Sequence, residues 1–257
     1  MTAMEGYRPD TYGDRMAGIY DELYAEAFDV IGTVELLVRL AGEGRALELA
    51  IGTGRIAVPL AQHGVEVVGI DASQAMVAEL RNKPGGRDIV VHVGDFADVD
   101  VPGEFSVIFV VFNTFFALTT QEDQIRCFHN VAAHLGDGGL FVIEAFVPDL
   151  TRFDRHQRLS VTDVGLDEVQ LEASRHDPVR QRVDSQHVFL SREGPRLYPV
   201  HLRYAYPPEL DLMARLAGLR LRERRGGWRD EPFTSASTNH VSIYERDPAR
   251  PPKAAPG

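Results

Sequence analysis

The chain has 257 residues, 44% of them hydrophobic, with 38 acids against 27 bases and a formal charge of −11. That length buries a full core as one α/β domain with an insertion, and no apolar run of about eighteen residues is present to span a bilayer. The acidic balance has the wrong sign for displacing counterions from nucleic acid, so neither nucleic acid nor membrane is an expected partner.

The opening segment, MTAMEGYRPDTYGDR, has no apolar stretch, which argues against a secretory signal and for a cytoplasmic protein. Residues 16–40 read as one helix, with apolar positions at Ile19, Leu23, Ala27, Val34, Leu37 and Val38, stopped by Gly42 and Gly44. A first strand is predicted at 46–49, then a helix over 55–63 closed by Gly64, and a second strand at 65–70. Ser73 is placed to cap a helix over 74–83, which Pro84-Gly85-Gly86 ends. Strands follow at 89–93, 105–112 and 140–146, with a helix over 121–135 between the last two. This alternation with near-continuous apolar strands indicates a parallel sheet covered on both faces.

After Pro148 the helical period is lost. Residues 149–206 carry short alternating runs, notably 186–190 and 197–204, that read as antiparallel strands. The helical pattern resumes at Pro207-Pro208 and ends at Gly218, before strands at 219–223 and 240–245. The fold class is therefore α/β, a seven-stranded Rossmann-like sheet with an antiparallel insertion. Its parts are a helical cap (1–44), a cofactor-binding core (45–148), the strand-rich insertion on the acceptor side (149–206), a return to the core (207–246) and a Pro/Ala-rich tail (247–257) expected to be disordered. Cys127, the single cysteine, excludes an internal disulfide and reads as a small core residue. The nine histidines show no ligand spacing, so no metal site is expected.

The segment ALELAIGTGR, residues 46–55, joins an apolar strand to a glycine-rich turn, and Asp71 ends the next strand. An α/β fold holds an adenosine-bearing cofactor this way. Two cofactors compete. Gly52-Thr-Gly-Arg-Ile-Ala57 fits the dinucleotide fingerprint, which implies a nicotinamide-dependent reductase. Against it stands Glu48, four residues before Gly52, where a carboxylate would repel a pyrophosphate held by bare N–H groups. S-adenosyl-L-methionine (SAM) carries an ammonium and a sulfonium, so Glu48 favours SAM. Alanine replaces a glycine of the pattern at Ala50, which predicts an ordinary backbone conformation there.

With E-x-A-x-G-x-G at 48–54, Tyr20-Asp-Glu-Leu-Tyr24, Asp71 and Gly94-Asp95-Phe96 in register, residues 15–245 resemble class I SAM-dependent methyltransferases acting on small molecules, bacterial sugar N-methyltransferases among them. The resemblance implies SAM as cofactor, S-adenosyl-L-homocysteine (SAH) as product, and a small-molecule acceptor, with secondary metabolism and a homodimer as further expectations. It assigns Tyr20 and Tyr24 to the methionine end, packing of a helix on the core being the alternative, more so for Tyr24 than for Tyr20. Glu48, Ala50, Gly52, Gly54 and Arg55 form the turn around the cofactor, while Asp71, Ala72 and Met76 flank its ribose. Asp95 and Phe96 take the adenine, and Phe112 and Asn113 separate cofactor from acceptor. Phe115, Phe116, His201, Tyr204 and Trp228 are the candidates for the acceptor wall, core packing being the plainer reading for Trp228.

Glu144, at the end of the fifth strand, and His187 are the candidate base or acceptor-binding groups. A solvated strand-end residue is the alternative for Glu144, and a satisfied strand histidine for His187 and His201. Arg152, Arg155 and Arg158 would suit an anionic acceptor such as a nucleotide-linked sugar, or form a solvated face. A SAM-binding fold without catalysis is the remaining alternative.

Overall fold

The computed structural model describes residues 4, 6–25 and 27–249. Of the tail expected to be disordered, residues 250–257 lie outside them. The single helix predicted over 16–40 is two, α1 (Thr11–Leu23) and α2 (Val30–Ala41). The break comes where Asp29 caps α2 by accepting from the Gly32 N–H at 2.9 Å, while Arg229 holds the same carboxylate at 2.6 Å. A capped end satisfies donors that a continuous helix would have used internally.

The core follows as β1 (Ala46–Leu49), α3 (Ala57–Gln62), β2 (Val67–Asp71), α4 (Gln74–Asn82), β3 (Val90–Val93), β4 (Phe105–Val110), α5 (Gln121–His134) and β5 (Leu135–Phe146). Ser73 caps α4 as predicted, accepting from the Met76 N–H at 3.1 Å. The insertion comprises β6 (Gln157–Val164), β7 (Glu168–Asp177), β8 (Arg182–Ser191) and β9 (Gly194–Arg203), and α6 (Pro207–Leu216), β10 (Leu219–Arg225) and β11 (Asn239–Arg246) return to the core. The seven-stranded sheet has the order β10-β11-β5-β4-β1-β2-β3, with β11 antiparallel to both neighbours, and the insertion is a separate four-stranded antiparallel sheet.

Every residue of β1 and β2 is buried, as strands covered on both faces require. One face packs Phe105, Phe128, Phe141 and Tyr244, the other Leu37, Leu60, Phe109 and Trp228. A third cluster, Met16, Met76, Phe189 and Tyr198, joins α1 and α4 to the insertion sheet.

These clusters correct part of the expected acceptor wall. Phe115 and Phe116 are fully buried in the core, Phe116 with its ring edge-on against Phe146 at 5.0 Å. Tyr204 is buried in the same layer, its hydroxyl within 2.9 Å of His176 Nε2, and Trp228 packs in the opposite one. An aromatic ring removed from water contributes about 1.5–3 kcal/mol, and burial wins over exposure to a ligand wherever the sheet offers a cover.

Candidate active site

The turn after β1 reverses one sequence expectation. Ala50 has φ +57°, in the left-handed region, as do Gly52 at +56° and Gly54 at +73°. The strand must turn at once into α3, and Ala50 takes the strained conformation despite its Cβ, at a cost of about 1 kcal/mol. Gly52 faces open space where a Cβ would project, so the turn leaves backbone bare toward the cavity beside it. A Cβ on Gly54 would lie 2.8 Å from Leu80 Cδ1, which is why α4 approaches so closely.

Asp71, at the end of β2, accepts from the Gly52 N–H at 2.7 Å and the Ser73 N–H at 2.8 Å. Burial pushes its carboxyl up, and the two N–H donors act against that rise. Each oxygen keeps a further acceptor position. Asp95 makes a turn by accepting from the Ala97 N–H at 2.9 Å through one oxygen. Glu48 lies beneath the glycine turn, buried, with one oxygen against the Ala57 N–H and Oε2 without a partner. Burial drives its carboxyl well above the usual range, with the Asp71 charge adding to the effect. An orphaned buried acceptor asks for a donor, and a cationic ammonium is one.

Over the turn sits α1. Asp21 accepts from Thr53 Oγ1 at 2.7 Å and pairs with Lys83 Nζ at 2.6 Å, while Ser73 Oγ donates to Asp14 at 2.6 Å. Arg55 donates to the carbonyls of Tyr24 at 2.5 Å and Tyr20 at 3.2 Å, and lies 4.8 Å from the Tyr20 ring. Predicted as a cofactor ligand, Arg55 instead ties the C-terminal end of α1 to the core, where carbonyls left free by the helix attract a cation. Burial raises the Tyr20 hydroxyl above its ordinary pKa, so both Tyr20 and the neighbouring Tyr12 remain neutral donors.

Opposite the turn, Phe112 (φ +58°) and Asn113 (φ +63°) are consecutive left-handed residues without being glycine. Such a pair persists only when its surroundings hold it. Glu144 Oε2 accepts from the Phe112 N–H at 2.6 Å, and Asn113 Oδ1 accepts from the Phe146 N–H at 2.6 Å. Glu144 is therefore committed to the loop rather than directed at an acceptor, which corrects its candidacy as a base. Burial pushes its carboxyl up to about 6.

A cavity of about 360 Å³ runs between these elements. Of the predicted residues it brings together Tyr20, Tyr24, Ala50, Gly52, Asp71, Ala72, Met76, Asp95, Phe96, Phe112, Asn113, His187 and His201. Glu48, Gly54, Arg55 and Glu144 stand behind that wall. Sequence reasoning missed Tyr7, Tyr12, Phe28, Asp123 and Phe146, which also line it. The aromatic spacing of the first thirty residues was the available signal, but nothing local told which rings face inward.

A seven-stranded sheet with this order, bearing a glycine turn and carboxylates at the C-terminal ends of β1 to β3, defines a class I methyltransferase architecture. A methyltransferase-domain family model matches residues 46–139. The cypemycin N-terminal methyltransferase of a Streptomyces species is 30% identical over 243 residues, 89% of this chain and 98% of that protein. The structure of the CcbJ methyltransferase from Streptomyces caelestis superposes with a TM-score of 0.89 at 40% identity, covering 93% of this chain and 99% of the other. A dTDP-4-amino-2,3,4,6-tetradeoxy-D-glucose N,N-dimethyltransferase of Saccharopolyspora spinosa is 32% identical over 52% of this chain and 55% of its own length. The chain belongs to the SAM-dependent methyltransferases. It is an enzyme with SAM as cofactor, and the nicotinamide reductase alternative falls. No helix of the described residues is long and apolar enough to cross a membrane.

Proposed function

We propose that the chain transfers the methyl group of SAM to the nitrogen of a small-molecule amine in bacterial secondary metabolism. The observation that carries this is the single cavity joining Gly52 and Asp71 at one end to His187, Val200 and Leu202 of the insertion at the other. When bound, SAM supplies an electrophilic methyl on a sulfonium leaving group. Asp71, already oriented by two N–H donors, accepts from the ribose hydroxyls, and Asp95 and Phe96 flank the adenine. Tyr20 and Tyr24, which line the same cavity, would stand at the methionine end. Phe112 and Asn113, held by Glu144, separate this end from the acceptor. Closure by α1 excludes water, and alignment lowers the barrier to an in-line displacement. The relatives named for N-methylation support nitrogen over oxygen.

Calorimetric titration with SAM, SAH and NADH tests the reading. SAM and SAH bind, NADH does not, and Asp71→Ala weakens both by about 100-fold, because two charge-assisted hydrogen bonds that shape the turn are lost with the carboxylate. Binding of NADH alone would sink it.

A further inference from the structure

Two cavities of different electrical character adjoin the insertion sheet. The larger, about 800 Å³, is lined by Arg152, Arg158 and Arg175, with Asp154 and Asp184 among them. It shares no lining residue with the cavity that reaches the glycine turn. Asp71, Asp95 and Asp123 line that second cavity, the first two at the end proposed for the cofactor, and no lysine or arginine of the described residues lines it. Arg126, beside its rim, is taken up by Asp123 at 2.7 Å and Asp98 at 2.8 Å.

A site for a nucleotide-linked sugar must meet a diphosphate with cations or aimed N–H groups, and in a low-dielectric cavity carboxylates repel it. An amine needs no such cations, and Asp123 does not repel its protonated form. The arginines line the other cavity, where Arg152 lies 3.7 Å from Glu172, and none of them lines the cavity that reaches the glycine turn.

His187 is one of the titratable side chains that line this cavity. It lines the cavity from β8, between Glu172 on β7 and Tyr198 on β9 in register, and forms no hydrogen bond within the described residues. Its neighbours are otherwise engaged: Glu172 accepts from Ser174 Oγ at 2.7 Å and lies 3.7 Å from Arg152, and His201 is held by Asp184 and Arg182. Burial lowers the His187 pKa, with Glu172 opposing, so the ring is neutral and able to receive a proton at neutral pH.

We infer that the acceptor is an amine on a body that bears no phosphate, and that His187 takes the ammonium proton before transfer. This rests on the methyltransferase reading. The proton moves from nitrogen to the neutral imidazole, which becomes imidazolium. The freed lone pair then forms the N–CH₃ bond as the methyl–sulfur bond breaks with its electron pair left on sulfur, and the imidazolium returns its proton to solvent.

Two measurements on the full chain test it without an acceptor in hand. In NMR titrations of histidine-labelled protein, the His187 signal is identified by its loss in His187→Gln, and its midpoint is compared between the SAH and SAM complexes. Glu172 acts on the ring in both, and His201, Asp123, Tyr12 and Tyr20 line the cavity in both, so the added sulfonium charge is the difference. A midpoint lower by about one pH unit with SAM is expected, and equal midpoints would place His187 away from the reacting methyl and overturn its role. Calorimetry of the SAH complex with dTDP is expected to give no binding up to millimolar concentration, and micromolar binding would overturn the acceptor class. Failure of SAM and SAH themselves to bind would overturn the underlying methyltransferase reading instead, and is visible in the same titrations.

Discussion

The two sheets of this molecule solve different problems. In the seven-stranded sheet, β1, β2 and β4 are buried along both faces, and the functional groups at their ends are fixed by backbone contacts, as Asp71 is by Gly52 and Ser73. In the four-stranded sheet one face packs under α1 through Phe189 and Tyr198, whereas Leu159, Val161 and Leu197 are exposed. The first holds a constant cofactor with a rigid frame. The second offers side chains to the cavity, His187 among them, without touching the frame. A fixed frame and an adaptable cavity wall are thus carried by separate sheets.

The sharpest way to break this comparison is to remove one large apolar side chain from each sheet. Phe128 is fully buried among Phe115, Phe141 and Tyr244, so Phe128→Ala should cost about 3–5 kcal/mol in denaturant unfolding. Leu159→Ala, on the exposed face, should cost less than about 0.5 kcal/mol. Similar losses at both sites would show the two sheets to be energetically alike.

Next in size is the pH response of Glu144. Its carboxyl is raised in the folded protein to about 6 from 4.5, so the native state binds the proton more tightly than the unfolded chain. The resulting stability is full below about pH 4.5 and is lost as the pH rises through 6, leaving the ionised form at a disadvantage of about 2 kcal/mol. Glu144→Gln keeps an acceptor for the Phe112 N–H and cannot ionise. Its Tm should exceed that of the parent at pH 8 and match it near pH 4.5, and a difference independent of pH would contradict the assignment.

Arg55→Ala probes the link between the cap and the core. Losing the bonds to the Tyr20 and Tyr24 carbonyls should free the end of α1 and weaken SAM binding by about tenfold, while the unfolding midpoint changes little. An unchanged Kd would mean that α1 closes without this tie. The smallest effect belongs to the turn itself. Ala50→Gly relieves a left-handed Cβ but adds freedom to the unfolded chain, for a net gain of about 0.5 kcal/mol, detectable by careful chemical denaturation; a loss of stability would argue that Ala50 is unstrained.

Much of the frame is legible in the sequence. Uninterrupted apolar runs at β1, β2 and β4, the Ser73 cap and the antiparallel character of residues 149–206 all follow from local patterns whose physics is local. The site was only half legible. Asp71, Asp95, Gly52 and His187 reach the cavity because chain position relative to a strand or turn determines where they sit. Phe115, Phe116, Tyr204 and Trp228 were misplaced because an aromatic ring near a strand end satisfies either a core or a pocket, and only the layer packed above it decides. Tyr7, Tyr12 and Phe28 were missed for the converse reason, since their inward direction depends on where α1 docks.

By itself, then, the sequence determined an α/β frame with a parallel centre, a glycine turn suited to SAM and an acidic residue after each of two strands, because strand burial and turn geometry are written in short-range spacing. The tertiary structure alone decided that Ala50 is left-handed, that Arg55 and Glu144 support the site from behind, and that among the described residues the cavity is lined by Asp123 and His187 with no lysine or arginine. Those outcomes depend on which distant surfaces meet, and packing at long range is not encoded in any local period.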